Sequence, residues 1–442
     1  MANTYLTRTP SSAGNRRTFT ISTWVKRSSI ASGSKTIFGI GNSSSSTSDA
    51  DWFSLAFNGS TNRIRSVQYN TVIFDSNRVF RDTSAWYHIV YAVDTTQGTA
   101  SDRVKVYING VQETSFATVN YPSQNYDFVV NTTVPHMIGR EDGNGSGYFD
   151  GLMSYVAVVD GTAELPTIFG ETDSVTGQWK IKTNITPSVA WGTNGFLILK
   201  NGNSLTDEST NSNNFTLGGG TLTNTLDCPD NVFATWNPLG ALSTPPTFSN
   251  GNTTAAVPTS GGAFRSTLAA SSGKYYCEVK VTTLENFAVG IQPIDSAYNV
   301  SIFGDTSGIG LYGTNGEVYK NGSNIGAVAS VSNNDIIGMA IDLDNNNIYF
   351  SVNGQYASGL SGSWNQSFGS AYAVAINSGH TYTIAGVNGS SGTTSNISIN
   401  FGNGYFGTTA VSSAGTNASG NGIFEYDVPT GFTALSTKGL NL

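Results

Sequence analysis

The sequence has little charge and no long apolar run. Charged residues make up only 11% of its 442 residues, whereas about 25% is usual in globular domains. The net charge is −8 and Lys and Arg form no cluster, so the attraction that draws proteins to nucleic acid or anionic lipid is missing. No apolar stretch approaches the roughly 20 residues of a membrane span. We therefore expect no nucleic-acid partner and no membrane insertion.

Cysteines and targeting signals are also scarce. The two cysteines, Cys228 and Cys277, allow one disulfide at most. Cys277 alternates with apolar neighbours, as a small buried side chain does, and we expect two free thiols in a fold stabilised by packing. Residues 1–10 lack the apolar core of a signal peptide. We expect no signal-directed export.

A repeated strand pattern fills the chain. Apolar and polar residues alternate at 19–23, 104–108 and 275–279, and a period of two is typical of β-strands. Helical periodicity is nearly absent, and turn-forming residues separate the apolar runs at intervals typical of sandwiches. The predicted fold class is all-β, with two tandem β-sandwiches.

Three Asn-Gly pairs predict tight hairpins. Asn109-Gly110, Asn321-Gly322 and Asn353-Gly354 each lie between β-rich segments. Both residues of such a pair adopt the positive φ that a type I′ turn requires.

A change of pattern marks a predicted domain boundary. Residues 226–238 contain Pro229 and Pro238 and show no alternation, which is typical of a connecting segment. We interpret 226–238 as a linker between a first domain, residues 1–225, and a second domain, residues 239–442.

The first domain carries four ordered motifs of a known family. They are FTISTWVK at 19–26, WYHIVYAVD at 86–94, VYINGV at 106–111, and the pair MIG at 137–139 with FDGL at 149–152. This pattern resembles the laminin-G-like, concanavalin A-like jelly-roll sandwich. The resemblance implies that these motifs are core strands and that Asn109-Gly110 is the hairpin between two of them.

The second domain resembles a different sandwich. The segments GKYYCEVKV at 273–281, VYKNG at 318–322, DIIGMAIDLD at 335–344 and IYFSVNG at 348–354 are similar to the SPRY domain. Residues 233–239 and 424–435 look like the segments found where such modules are joined in structural proteins of tailed phages, notably marine and cyanobacterial ones. The tandem resemblance covers nearly the whole chain and implies a virion surface protein.

The sequence offers no recognised catalytic motif. The Glu-x-Asp-x-x-Glu strand of sandwich glucanases is missing, and paired acids occur only in or beside turns, where Asp ordinarily caps backbone N–H groups. No Gly-x-Ser-x-Gly elbow precedes a helix, and the three histidines are not at zinc-ligand spacing. We expect His88 to be a satisfied strand histidine and the protein not to be an enzyme. The acid pairs are Asp49 with Asp51, Glu141 with Asp142, and Asp342 with Asp344.

Calcium is the metal that the composition favours. The loop at 141–146 (EDGNGS) supplies Asp142 and Asn144, whose oxygens are ligands that calcium accepts. The alternative is an ordinary turn, because the loop lacks the bidentate Glu that would complete an EF-hand.

Three aromatic residues are candidates for ligand binding. Trp52 and Tyr148 adjoin polar loops of the first domain, and Trp364 lies in a predicted loop of the second. A ring face stacks on the C–H surface of a sugar while neighbouring amides satisfy its hydroxyls. The alternative is that these rings, like most of the aromatics, fill the two cores.

These observations predict a multicopy phage virion surface protein, either a tail-fibre-like subunit or an appendage. Its partners would be other virion proteins and a host-surface glycan or protein, bound through sandwich loops. The alternatives are a capsid decoration or cement protein without host binding and, third, a glycan hydrolase.

Overall fold

The structure, a computed structural model, divides into two compact units, residues 1–224 and 225–442. It describes residues 3–30, 32–41, 52–141, 145–240, 245–258, 263–285, 287–297, 305–388 and 394–441. The predicted all-β class is confirmed: throughout these ranges the only helices are 3₁₀ turns, Ala100–Asp102, Pro166–Ile168, Thr186–Ser188, Phe368–Ser370 and Gly439–Asn441. None of them is long or apolar enough to cross a membrane.

The described residues of the first unit form sixteen strands. In chain order they are β1 Tyr5–Arg8, β2 Thr18–Arg27, β3 Lys35–Ile40, β4 Phe53–Asn58, β5 Arg63–Gln68, β6 Thr71–Val79, β7 Trp86–Asp94, β8 Val104–Ile108, β9 Val111–Gln112, β10 Phe116–Val119, β11 His136–Ile138, β12 Gly151–Asp160, β13 Gly170–Thr172, β14 Trp179–Ile181, β15 Phe196–Ile198 and β16 Thr216–Gly219.

Two antiparallel sheets of the first unit enclose its core. The eight-stranded sheet has the order β10-β6-β5-β4-β3-β11-β1-β16, and the six-stranded sheet has the order β15-β12-β2-β7-β8-β9. Period-two alternation sends Phe19, Ile21 and Val25 of β2 into the core, and sends Ser22 and Trp24 to the opposite face.

A segment without long strands covers that opposite face of the six-stranded sheet. Phe169, Ile185, Val189 and Trp191 from this segment pack with sheet residues into a second, smaller apolar cluster. The segment includes the hairpin of β13 and β14, whose tryptophan, Trp179, contacts the sheet. We call residues 161–195 the first cover.

In the second unit the part of the chain that the structure describes forms eighteen strands. They are β17 Thr247–Ser249, β18 Thr254–Val257, β19 Ala263–Ala270, β20 Lys274–Thr283, β21 Phe287–Pro293, β22 Ile309–Tyr312, β23 Glu317–Lys320, β24 Ser323–Ala327, β25 Ile336–Asp342, β26 Asn347–Val352, β27 Gln355–Ala357, β28 Trp364–Gln366, β29 Val374–Ala375, β30 Tyr382–Asn388, β31 Ser395–Asn400, β32 Tyr405–Phe406, β33 Thr409–Ala410 and β34 Thr433–Ala434.

Two larger sheets also form the second unit. One has the path β17-β18-β31-β20-β25-β26-β27-β28, to which β29 and β34 add; the other has the order β19-β30-β21-β22-β23-β24. Their facing sides hold one large core that includes Cys277, Met339 and Phe350. The strands pair antiparallel, except that β34 runs parallel to β20.

The C-terminal part of the chain covers the outer side of the ten-stranded sheet. Phe424, Val428 and Phe432 pack there with Tyr276 and Tyr356. We call residues 412–436 the second cover.

The segment 226–238, interpreted above as a linker, belongs to the second unit. Ala234 and Trp236 are buried in that unit's core, and the Ala234 N–H donates to the Leu435 carbonyl over 2.9 Å. The prolines and the missing alternation show that this segment is not a strand. An irregular segment can still bury aromatic side chains when its backbone polar groups find hydrogen-bond partners.

All three Asn-Gly hairpins are confirmed. Asn109, Asn321 and Asn353 have φ values of 49°, 53° and 50°, and the pairs join β8 to β9, β23 to β24 and β26 to β27. Asp342 holds the turn between β25 and β26, as the sequence predicted, because its carboxylate accepts the Asn345 N–H over 3.0 Å. Both cysteines are free.

Candidate functional site

The loop that carries Tyr148 is folded back onto the eight-stranded sheet. Gly139 leaves β11 at a φ of 81°, which favours glycine, and its carbonyl accepts the Phe149 N–H over 2.9 Å. At the start of β3 the Thr36 N–H donates to the Gly147 carbonyl, also over 2.9 Å. These two bonds fix both ends of the described part of the loop, and with them Tyr148.

Tyr148 belongs to a cluster with an arginine and a second tyrosine. The Arg140 guanidinium carbon lies 4.4 Å from the centre of the Tyr5 ring and 5.7 Å from that of Tyr148. The two ring centres are 6.1 Å apart. We call Tyr5, Arg140 and Tyr148 the tyrosine–arginine cluster. Both tyrosines are half-buried, whereas Arg140 is only 9% exposed, so the rings are the part of the cluster that solvent reaches most.

Glycines of the neighbouring strand make room for the cluster. A Cβ on Gly218 would lie 2.2 Å from the Tyr5 ring, closer than real side chains approach, so β16 must present a glycine there. The ring of Tyr5 therefore lies directly on the strand backbone. Cation–π contacts of this kind contribute about 0.5–2 kcal/mol, which orients the two rings before any ligand arrives.

The chemistry of the cluster suits a polar molecule with exposed C–H surface. Ring faces stack on C–H groups, phenol hydroxyls donate and accept, and a guanidinium only donates. Sugars and peptides present these groups together. The groups of the cluster are therefore suited to binding such a molecule.

Trp52 does not join this cluster. It is half-buried directly before β4, and its carbonyl accepts the Tyr69 N–H over 3.0 Å. Its neighbour Phe53 pairs with Ile40 at the end of β3, whereas Gly147, the residue before Tyr148, bonds Thr36 near the start of that strand. Four residues of strand separate the two places, or about 13 Å.

Trp364 is half-buried on β28. Its ring packs against the second unit's core, and its indole N–H donates to the Ala329 carbonyl over 2.9 Å. Part of this side chain therefore contributes to packing, as the alternative interpretation held, and part faces solvent.

Asp142 and Asn144, the calcium candidates, lie outside the described residues, as do Asp49 and Asp51. In the part of the chain that the structure describes, no group of three His, Cys, Asp or Glu side chains is arranged to hold a metal ion.

Two histidines of the first unit are structural. Trp179 donates its indole N–H to His88 Nδ1 over 3.0 Å, so His88 Nε2 carries the ring proton and faces Ser22 Oγ at 2.9 Å. Burial lowers the pKa of His88 to about 3 and that of His136 to about 4. The predicted satisfied strand histidine is confirmed, because both nitrogens of His88 have partners.

A buried carboxylate holds the second cover. Glu278 on β20 is fully buried, and it accepts the backbone N–H groups of Glu425 and Tyr426 over 2.8 and 2.9 Å. The Tyr276 hydroxyl and the Asn400 amide donate to it over 3.2 and 3.4 Å. Burial raises the pKa of Glu278 to about 7, against the opposing effect of these hydrogen bonds.

The sequence did not single out Tyr5, Arg140 or Glu278. Tyr5 reaches Arg140 only because β1 pairs with β11, where Leu6 opposes Ile138, and no local spacing reveals that pairing. One sequence signal was available for Glu278: an acidic residue between the apolar residues Cys277 and Val279 of a strand, where a charge is costly unless it is partnered.

Comparison with known proteins finds one family model that is similar to part of the first unit. Residues 2–168 match the family model described as the concanavalin A-like lectin/glucanases superfamily. No curated protein matches the chain.

Several solved SPRY structures are similar to part of the chain. The SPRY domain of human HERC1 is 15% identical over 37% of this chain and 96% of its own, with a TM-score of 0.31. The TRIM65 PSpry domain is 13% identical over 38% and 91%, with a TM-score of 0.30. A further human SPRY domain is 14% identical over 33% and 90%, with a TM-score of 0.24.

Proposed function

We propose that this chain is a multicopy surface protein of a tailed-phage particle, which binds a host-surface glycan or protein through the loops of two sandwiches. The first sandwich is concanavalin A-like, and we propose that the second is SPRY-type. The proposal assigns binding, not glycan cleavage, to the first unit, because its sequence lacks the paired acids of sandwich glucanases and its tyrosine–arginine cluster has no acid–base pair.

The observation that carries the proposal is the tyrosine–arginine cluster. Arg140 packs against the half-buried rings of Tyr5 and Tyr148, and Gly218 of β16 leaves room for the Tyr5 ring. Aromatic rings fixed in this way lose little conformational freedom on binding, which reduces the cost of capturing a ligand.

Multiple copies would make weak contacts sufficient. Binding of one copy makes the next event intramolecular, so avidity rises by orders of magnitude without new contacts. The low fraction of charged residues, 11%, suits this mode in salt water, because contacts between neutral groups are not screened.

Trp52, Trp364 and the calcium candidates extend the proposal. Trp52 would serve a site of the first unit separate from Tyr148, and Trp364 would serve a site of the second unit. Asp142 and Asn144 would hold calcium beside the tyrosine–arginine cluster and so fix the loop that carries it.

The test is binding of fluorescently labelled full chain to candidate host cells and to immobilised host glycans, with an unrelated β-sandwich as reference. We expect saturable binding that Tyr148→Ala reduces at least tenfold. Tyr69→Ala is the matched control, because Tyr69 is a more exposed tyrosine (42%) of the same unit, and its loss should leave binding unchanged.

Other results would select the alternatives. Loss of binding on calcium chelation would support the Asp142 site. If a multimerised chain bound purified phage capsids and no cells, the decoration role would replace host attachment. Equal losses in the Tyr148 and Tyr69 variants would remove the cluster as the binding site.

A further inference from the structure

The six-stranded sheet of the second unit brings three chemically complementary side chains to one end. Asp295 follows the end of β21, Ser307 precedes β22, and His380 precedes β30. Because β21 pairs antiparallel with both β22 and β30, its end lies beside their starts. Residues that are far apart in sequence therefore meet at this edge.

Their atoms stand in the order of a nucleophile, a base and an orienting acid. Ser307 Oγ lies 3.4 Å from His380 Nε2, and His380 Nδ1 lies 3.7 Å from Asp295 Oδ1. The serine and the carboxylate thus face different nitrogens of one ring, which is the arrangement that lets imidazole take a proton from a hydroxyl. Separations slightly beyond hydrogen-bond length are common in such sites before substrate binds.

A side-chain amide completes the arrangement. The Asn377 amide nitrogen donates to Ser307 Oγ over 3.2 Å. Since Oγ already accepts this bond, its own proton is free to point to His380 Nε2. When Ser307 Oγ attacks a carbonyl carbon, the carbonyl oxygen becomes negatively charged close to Oγ. The Asn377 amide, which already reaches Oγ, can donate to that oxygen and stabilise its charge.

A buried network holds the serine in place. The Ser307 N–H donates to Asp305 Oδ1 over 2.8 Å, and Gln292 donates to the other oxygen of Asp305 over 2.6 Å. Gln292 in turn accepts the Nε–H of the buried Arg265 over 3.1 Å. The Tyr382 hydroxyl donates to the Asn377 carbonyl over 2.9 Å, which supports the amide.

The reacting groups are reachable from solvent. The His380 side chain is 29% exposed and that of Asp295 is 72% exposed, and Ser307 is half-buried. A part-exposed histidine and serine can hydrogen-bond to water and do not need each other as partners. Stability alone therefore explains this cluster poorly. The site is open, so it suits a small group presented by a larger molecule.

We propose that Ser307, His380 and Asp295 form an acyl-ester hydrolase site, with small neutral O-acyl esters as substrates. Asp295 and Asp305 disfavour substrates with a negative charge nearby, whereas the Asn377 amide suits a neutral polar one. This activity goes beyond the proposed binding function and does not depend on it.

The reaction follows from the geometry. Ser307 Oγ attacks the ester carbonyl carbon while its proton passes to His380 Nε2, and the alcohol leaves with that proton. Water then attacks the acyl-serine, giving its proton to Nε2, and the carboxylic acid departs as Oγ recovers the proton. The sum is ester plus water to acid plus alcohol. Ser307 and His380 are catalytic residues here, and Asp295 is a positioning residue.

To test this, the full chain is treated with a fluorophosphonate probe and the labelled residue is located by peptide mass spectrometry. Hydrolysis of p-nitrophenyl acetate is measured in parallel. We expect the label on Ser307, no labelling in Ser307→Ala, and a labelling rate at least 100-fold lower in His380→Gln, because losing a general base costs about 10²–10⁴-fold. Ser330→Ala, which alters an exposed serine of the same unit, is the matched control and should label normally.

Asp295 needs a readout of its own. Asp295→Asn should lower kcat about tenfold with KM unchanged, and Asp295→Glu should restore most of it, as expected of a group that orients the imidazole. The proposal is overturned if the label falls elsewhere, if Ser307→Ala hydrolyses the ester as fast as the original chain, or if His380→Gln labels at the original rate.

Discussion

Each unit covers the outer face of one sheet with a long irregular segment, and in each a buried titratable side chain accepts hydrogen bonding from that segment. In the first unit His88 accepts a bond from Trp179 of the first cover. In the second, Glu278 accepts two backbone N–H groups of the second cover. The two anchors are shifted in different ways: burial holds the pKa of His88 at about 3 and that of Glu278 at about 7.

The difference shows that two covers anchored in a similar way can respond to pH in opposite directions. A buried histidine is neutral when the unit is folded, and acid forces a proton onto it. A buried carboxylate prefers to be protonated when the unit is folded, and alkali removes that proton. The covers should therefore loosen at opposite ends of the pH range.

The largest expected effect comes from removing an anchor. Glu278→Ala leaves two buried backbone donors and the Asn400 amide without their acceptor, and we expect a loss of about 4 kcal/mol in the second unit's free energy of unfolding. This loss is measured by urea denaturation, followed by pulsed hydrogen exchange of peptides from β20 and β31. Glu317→Ala changes a half-buried strand glutamate and should cost less than about 1 kcal/mol. Equal costs would show that Glu278 is no anchor.

The second effect is acid destabilisation of the first unit. His88 has a folded pKa of about 3, below the usual 6.5, so the unfolded chain binds its proton first and stability falls as the pH drops below about 6.5. From there to pH 4 the loss should be about 3 kcal/mol, with His136 adding in the same direction. Exchange of β2 and β7 peptides after urea titration at each pH reports it, and His88→Phe should flatten the dependence.

The third effect has the opposite sign and belongs to the second unit. Glu278 has a folded pKa of about 7, above its usual value of 4.5, so its contribution is complete below pH 4.5 and is lost as the pH rises through 7. Between pH 5.5 and 8 the loss should be about 2 kcal/mol. The same urea titrations, read on β20 peptides, test it. A second unit that gained stability over this range would break the comparison.

The smallest effect tests how the covers meet the Asn-Gly hairpins. A Cβ on Gly110 would lie 2.5 Å from the Trp179 ring, and one on Gly354 would lie 2.6 Å from the Tyr426 ring. We expect Gly110→Ala and Gly354→Ala to cost about 1–2 kcal/mol each through strain and displaced rings. Gly431→Ala has similar strain, at a φ of 88°, but meets nothing within 4 Å. It should cost less in thermal denaturation than either of the others.

The parts of the fold that the sequence predicted are those encoded locally. Alternation identified strands such as β2 and β20, and the Asn-Gly pairs identified three hairpins, because both signals depend on neighbours in the chain. The covers were missed because irregular segments have no period. Residues 226–238 were interpreted as a linker for that reason, although Trp236 is fully buried.

The candidate sites were predictable only in part. Tyr148 was named from its loop, but its partners Tyr5 and Arg140 depend on the pairing of β1 with β11. Ser307, His380 and Asp295 have no motif, because antiparallel pairing of three strands brings them together. A motif search finds catalytic groups only when their spacing along the chain is conserved by the local fold.

The order of strands in each unit determines how much of the chain must be synthesised before that unit can complete its sheets. The first unit pairs β1 with β16, so its eight-stranded sheet can be completed once residue 219 has left the ribosome. The second unit places residue 234 beside Leu435 and pairs β34 with β20. During translation the first sandwich can therefore finish folding while the second still lacks its last strand, and the nascent second unit exposes Tyr276 and Tyr356 until its cover emerges.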